Sequence, residues 1–273
     1  RGSDNVEDRR GMSTGTKVVG GGLGTLVIVL LVYLLGGDPS GILQQSGSSG
    51  TAGPVEASEE ENAMAQFVSV VLADTEEVWG KIFAQSGATY RQPTLVLFRD
   101  QVQSACGYAT AASGPFYCPG DEKVYIDLSF FDDLRAKYGV YGDFAIAYVV
   151  AHEIGHHVQN QMGILDEVQT ERQRLSEVRG NQLTVRLELQ ADFLAGVWAH
   201  HASNMFNSIE EGDIEEALNA AASIGDDVLQ KKYQGRVVPD SFTHGTAAQR
   251  SSWLRKGWET GDLNQGDTFS GAI

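Results

Sequence analysis

The sequence predicts an α+β domain, mostly helical with a small sheet, preceded by one transmembrane helix. Three observations carry this. Apolar residues recur at helical spacing over long stretches, as in Ala65, Val68, Val71 and Leu72, and again in Ala147, Val150, Ile154 and Val158. Two short runs read as strands: Thr94–Phe98, apolar and preceded by Pro93, and Lys123–Leu128, alternating polar and apolar. From Val18 to Leu35 no residue is charged. As a helix that run would span about 27 Å at ~1.5 Å per residue, close to the ~30 Å hydrocarbon core of a bilayer.

Composition narrows the class. The chain has 273 residues and 42% hydrophobic content, enough to pack one ordinary domain with appendages. Its 20 Lys and Arg against 36 Asp and Glu give a formal charge of −16. A nucleic acid partner needs a basic face, so that class is excluded.

In chain order, residues 1–17 are polar and read as a cytoplasmic tail. The opening Arg1-Gly2-Ser3 looks like a truncated or processed start and is set aside. Arg9, Arg10 and Lys17 precede the apolar run and place that side in the cytoplasm. Residues 18–35 are then the anchor, with a cleaved signal peptide as the alternative; either puts the rest of the chain outside the cytoplasm. Residues 36–61, rich in Gly, Ser and Gln, read as a tether.

The folded domain is expected over 62–260. A helix runs from Asn62 towards Gly87. Cys106 and Cys118 are the only cysteines, readable as a disulfide or as two buried thiols; an oxidising compartment permits the first. Lys123–Leu128 reads as a half-buried strand, at a sheet edge that an extended peptide can join. Ser129 is the expected cap of a short helix ending at Tyr138. A strongly apolar helix comes next, from Asp143 to about Met162, with His157 on its surface. Asp166–Val178 reads as a solvated helix broken near Gly180-Asn181, and beyond the break a helix runs from Leu183 to His201. A further helical pattern covers Ile214–Leu229, and Thr246 caps a final helix to Trp258. Residues 261–273 read as a frayed tail.

One motif names a chemistry. His152-Glu153-Ile154-Gly155-His156 is H-E-x-x-H on a helix. Residues four apart share a helix face, so His152 and His156 can point two imidazoles at one metal ion. Glu153 is turned about 100° away and is free to act as general base on a water at the metal. A Zn²⁺ hydrolase site takes three protein ligands. Gln159 and Met162 stand where a metzincin would have Gly and His, which excludes that class. Glu188, on a later helix, is the candidate third ligand, giving two histidines and a glutamate. Asp192 is one turn on, and two acids on one face of an apolar helix are costly unless paired or metal-bound. Asp192 suits the free ring N–H of a ligand histidine. His244, in a loop before the last helix, reads equally as structural or as donor to an oxyanion, with Arg250 in support.

The runs HEIGHHVQNQMG (152–163), ELQADFLAG (188–196) and PDSFTHGTAAQR (239–250) together resemble the YpfJ-type neutral zinc metallopeptidases, predicted bacterial membrane-anchored proteins. The resemblance extends to DNVEDRRG (4–11) and GPFYCPGDEKVYIDLSFF (114–131). It implies a zincin-like zinc peptidase with His152, Glu153 and His156 in the metal and base roles. A more distant similarity to membrane-linked gluzincins supports Glu188 as ligand, with His244 and Arg250 near the oxyanion. Gly245 is a departure, since those relatives usually carry Pro there. The expectation is a single-pass protein of the bacterial inner membrane, its domain in the periplasm, cleaving protein or peptide substrates. A zinc-binding scaffold without turnover and a zinc hydrolase of a cell-wall amide are the alternatives.

Overall fold

The computed structural model describes residues 1–11, 57–210 and 212–273. The expected anchor (18–35) and most of the tether (36–61) lie outside the described residues. Among the described residues no helix is long and apolar enough to cross a membrane.

The architecture is mostly helical with a small sheet. The first helix, α1 (Glu59–Gln85), begins at Ser58, whose side chain accepts from Glu61 N at 3.1 Å, and it carries three glutamates in its first turn. Side chain and charge both match the N-terminal dipole. A four-stranded sheet lies against it in the order β1-β2-β6-β5, formed by β1 (Val6–Asp8), β2 (Thr94–Phe98), β5 (Phe116–Cys118) and β6 (Lys123–Asp127). β1, β2 and β6 are parallel and β5 is antiparallel to β6. β3 (Gln101–Ser104) and β4 (Gly107–Thr110) make a separate hairpin. Cys106 and Cys118 are joined by a disulfide that ties the hairpin to β5.

Two expectations about this half change. Lys123–Asp127 is an interior strand, not an edge: it pairs with β2 on one side and β5 on the other, and Val124 to Asp127 are all buried. Its alternation misleads because Tyr125 and Asp127 are polar-tipped yet covered, Tyr125 by Phe116 stacked at 4.8 Å. Residues 1–17 are not simply a tail either. Val6, Glu7 and Asp8 pair with Leu95, Val96 and Leu97, so this part of the segment belongs to the folded domain.

The helical half comes after the sheet. α2 (Ser129–Tyr138) starts on a carboxylate rather than on Ser129: Asp127 Oδ1 accepts from Ser129 N at 3.0 Å. α3 (Asp143–Gln161) carries the H-E-x-x-H motif, and Gly163, at φ 80°, opens α4 (Ile164–Arg172). α5 (Glu177–Phe206) runs unbroken through Gly180 and Asn181. An interior glycine costs only about 1 kcal/mol against Ala, and the packing of a long helix offsets that. The pattern over Ile214–Leu229 divides into α6 (Asp213–Ser223) and α7 (Asp226–Gln234) at Gly225, where an added Cβ would lie 2.3 Å from Ala247 N. α8 (Ala247–Thr260) begins with the reciprocal Thr246–Gln249 cap.

α5 is the central strut, packed between α3 and α8. The α3 crossing is close because Gly155 faces the Ala191 backbone; an added Cβ would sit 3.0 Å from Ala191 O. At the α8 crossing Gly196 and Gly257 interlock, and added Cβ atoms would fall 2.1 Å from Leu254 O and 2.0 Å from Phe193 O. The Gly155 contact holds the two motif-bearing helices at backbone distance. Trp79, Tyr148, Phe131 and Phe193 fill the core around them. Residues 261–273 are not a frayed tail: Thr268 is buried and Arg186 donates to the carbonyls of Thr268 and Gly271 at 2.5 and 2.9 Å.

Candidate metal centre

Two helices crossing face to face build the site. α3 presents His152 and His156 one turn apart, and α5 presents Glu188 and Asp192 one turn apart. His152 Nε2 lies 3.1 Å and His156 Nε2 3.5 Å from Glu188 Oε2. One ligand atom from each of His152, His156 and Glu188 falls within 4.8 Å of the others. The two rings stand nearly perpendicular, at 89°, and aim their Nε2 atoms at the same carboxylate.

The opposite face of each ring is engaged. His152 Nδ1 lies 2.8 Å from Asp192 Oδ1, and His156 Nδ1 lies 2.9 Å from Gln159 Oε1. Both partners accept, so each imidazole, when neutral, carries its proton on Nδ1 and leaves its Nε2 lone pair for a cation. Gln159 is held in turn, donating to Leu187 O at 2.8 Å and to Gln190 Oε1 at 3.0 Å. The donor set fits zinc: two imidazoles and one carboxylate converge, with their second partners in place. Sequence reading overlooked Gln159 as a partner; its position three residues after His156, on the same helix face, is the signal that could have revealed it.

Asp192 is fully buried and collects three partners. Tyr148 Oη donates to Oδ1 at 2.6 Å, and Arg250 donates through Nε to Oδ2 at 2.9 Å and through Nη2 to Oδ1 at 3.0 Å. Arg250 Nη2 also donates to Tyr148 Oη at 3.1 Å. Arg250, expected to support His244, bonds Asp192 instead: its guanidinium is 3% exposed and sits behind Asp192, on the far side of His152 from Glu188. A helix starts between His244 and Arg250, and its turn carries the arginine into the core.

His244 lies near enough to the site for its charge to act on Glu188 and Glu153. Its loop hangs on one buried carboxylate, since Asp226 Oδ2 accepts from the backbone N–H groups of Thr243, His244 and Gly245 at 2.8, 2.7 and 3.0 Å. Asp226 Oδ1 also lies 3.4 Å from His244 Nδ1, whose hydrogen-bond partner is Thr243 Oγ1 at 3.1 Å. Gly245 adopts φ 99° with Leu189 and Val185 close around it. Proline, whose φ is locked near −65°, cannot take this conformation, which accounts for the departure at this position.

The electrostatics follow from burial and neighbours. Burial pulls the His152 imidazolium down, but Asp192 and Glu188 outweigh it and lift the pKa to about 10. His156 is likewise raised, with Glu188 outweighing burial. His244 is raised, its Asp226 bond and Glu188 outweighing burial. Glu188 goes well below the usual carboxylate range: burial opposes this, and His156 and His152 overcome it. Glu153 moves the other way, raised by burial against the pull of His156 and His152. Two acids beside one cation site therefore differ: Glu188 is held as a carboxylate and Glu153 is made more basic. Divergence of this kind is the usual mark of an acid–base assignment.

His157, expected on the helix surface, is fully buried. Its Nδ1 meets Tyr117 Oη at 2.9 Å and its Nε2 meets Arg91 O at 2.6 Å. It ties α3 to β5 and plays no part in the cation site.

Comparison with known proteins agrees with this geometry. The family described as "Putative neutral zinc metallopeptidase" matches residues 1–269. A protein of Escherichia coli, "Uncharacterized protein YpfJ", is 48% identical over 282 residues, covering 100% of this chain and 98% of its own. A protein of Mycobacterium bovis, "Uncharacterized protein Mb2605", is 46% identical over 193 residues, covering 67% of this chain and 64% of its own. No solved structure matches.

Proposed function

The chain belongs to the neutral zinc metallopeptidase family, and from that premise we propose that it hydrolyses peptide bonds in proteins outside the bacterial cytoplasm. The apolar run Val18–Leu35 holds it at the inner membrane. The observation that carries the activity is the pairing of a three-donor site, His152, His156 and Glu188, with a buried carboxylate, Glu153, on the same helix as the two histidines.

His152, His156 and Glu188 would hold the zinc. When bound there, zinc supplies a Lewis acid that lowers the pKa of water to ~7 and polarises a carbonyl oxygen. The chain's own groups do the rest. Glu153 is the general base. Its burial favours the protonated form, so it takes a proton from the attacking water readily and can return it to the leaving amine. His244 is the donor that meets the developing oxyanion, carried on a loop whose backbone Asp226 holds. Asp192 and Gln159 hold the ligand tautomers, and Arg250 with Tyr148 holds Asp192.

A substrate panel tests the reading. The zinc-loaded protein is expected to cut an unfolded protein such as casein, to lose that activity to a chelator and to regain it with zinc. Turnover of muropeptides with casein untouched would replace the peptidase reading by a cell-wall amidase.

A further inference from the structure

We infer that Ser3–Arg10 is a docked, sheet-completing strand, and that it therefore lies in the same aqueous compartment as the zinc site. The inference keeps the membrane attachment of the proposed function but departs from the single crossing that the charge pattern suggests.

The observation is a built receptor on β2 and α1. Backbone bonds run along the strand: Ser3 N donates to Ser69 O at 3.0 Å, Leu95 N to Asn5 O at 2.9 Å, and Arg9 N to Leu97 O at 2.7 Å. Glu76, a buried carboxylate on α1, accepts from Ser3 Oγ and Asn5 Nδ2, both at 2.8 Å. Among the described residues, no other group hydrogen-bonds that carboxylate. A buried acid stripped of its donors is costly, so the Glu76 site is made for this segment. Lys123 of β6 pairs with Glu7. Gly2 packs so tightly that an added Cβ would lie 2.3 Å from Ser69 Oγ.

The topological consequence comes from Arg10. Its guanidinium donates to Glu61 O at 3.2 Å and Asn62 Oδ1 at 3.1 Å, at the very start of α1. Arg10 and Glu61 thus touch. A single membrane crossing between them would hold them about 30 Å apart on opposite sides, and a strand cannot pair with a sheet through hydrocarbon. Whatever path joins them, the chain departs from and returns to one face of the domain.

Impermeant-maleimide labelling of the full-length chain in cells with a permeabilised outer membrane tests this. The reporters are Asp4→Cys and Lys81→Cys, whose native side chains are 90% and 55% exposed in the docked form. Both are expected to label at the same stage. Labelling of Lys81→Cys from outside, with Asp4→Cys reacting only after the inner membrane is lysed, would overturn the inference. If both react only after lysis, the docked strand stands and the extracytoplasmic reading falls. Recovery of the chain in the soluble fraction would remove the anchor alone.

Docking itself is read by trypsin on the purified full-length chain. Cleavage after Arg10 is expected to be about tenfold faster in Asn5→Ala/Glu76→Gln than in wild type, because the opened strand is what the protease cuts. Zinc content should not change. Equal cleavage rates would overturn the inference.

Discussion

At the residue scale the site is a set of orientations. Gln159 matters because it fixes a proton. Gln159→Ala leaves His156 free to choose its tautomer, and zinc affinity should fall by about 10–100-fold. Competition with a fluorescent chelator measures this, and unchanged affinity would remove Gln159 from the account. Arg250→Ala leaves Asp192 buried with its main countercharge gone and should cost roughly 3–5 kcal/mol, read from urea unfolding. A loss of turnover with stability intact would instead return Arg250 to the oxyanion. The ligands were legible in the sequence because each pair lies four apart on a helix, where spacing alone decides which side chains share a face. The bond from Arg250 to Asp192 was not legible, because six residues of separation from His244 say nothing about direction once a helix begins between them. Asp226 and Tyr148 left no local pattern, since they meet the site only through the tertiary fold.

At the element scale, backbone-to-backbone helix crossings set the architecture. The α5–α8 crossing rests on Gly196 against Leu254 and Gly257 against Phe193. Gly196→Ala forces a methyl onto a backbone carbonyl, and overpacking of this kind costs ~1–3 kcal/mol or more. A lowered urea midpoint with an unchanged slope is the expected result; a neutral effect would mean that the crossing relaxes. The long helices were readable from periodicity, α3 to within a residue at each end, but the start of α5 was not. α5 passes through Gly180-Asn181 because tertiary contacts override local propensity. β1 was not readable: three residues, two of them acidic, carry no strand pattern, and only its pairing partner makes it a strand.

At the scale of the whole molecule, charge and metal are coupled. His152, with its pKa raised to about 10, and His156, also raised, hold protons against a carboxylate that is itself acidified. A cation needs both Nε2 lone pairs, so protons and zinc compete and affinity falls as pH falls. Two histidines set the limit at about two decades of affinity per pH unit. Zinc retained after dialysis at pH 5 should be far below that at pH 7.5, and equal retention would contradict the ligand set. The small sheet and the helical core were expected from the sequence. The fold's closure by its N-terminal and C-terminal segments was not, because both are short polar stretches whose burial depends on distant partners: Glu76 and β2 for one, Arg186 and Phe193 for the other.

The proposed peptidase activity rests on one zinc and one base. Zinc per chain and casein cleavage, measured together on the full-length wild type and Glu153→Gln, test it most directly. One zinc in both and a loss of roughly 10²–10⁴-fold in cleavage for the variant are expected. Equal cleavage by the two proteins, or a wild type that binds no zinc, would contradict it.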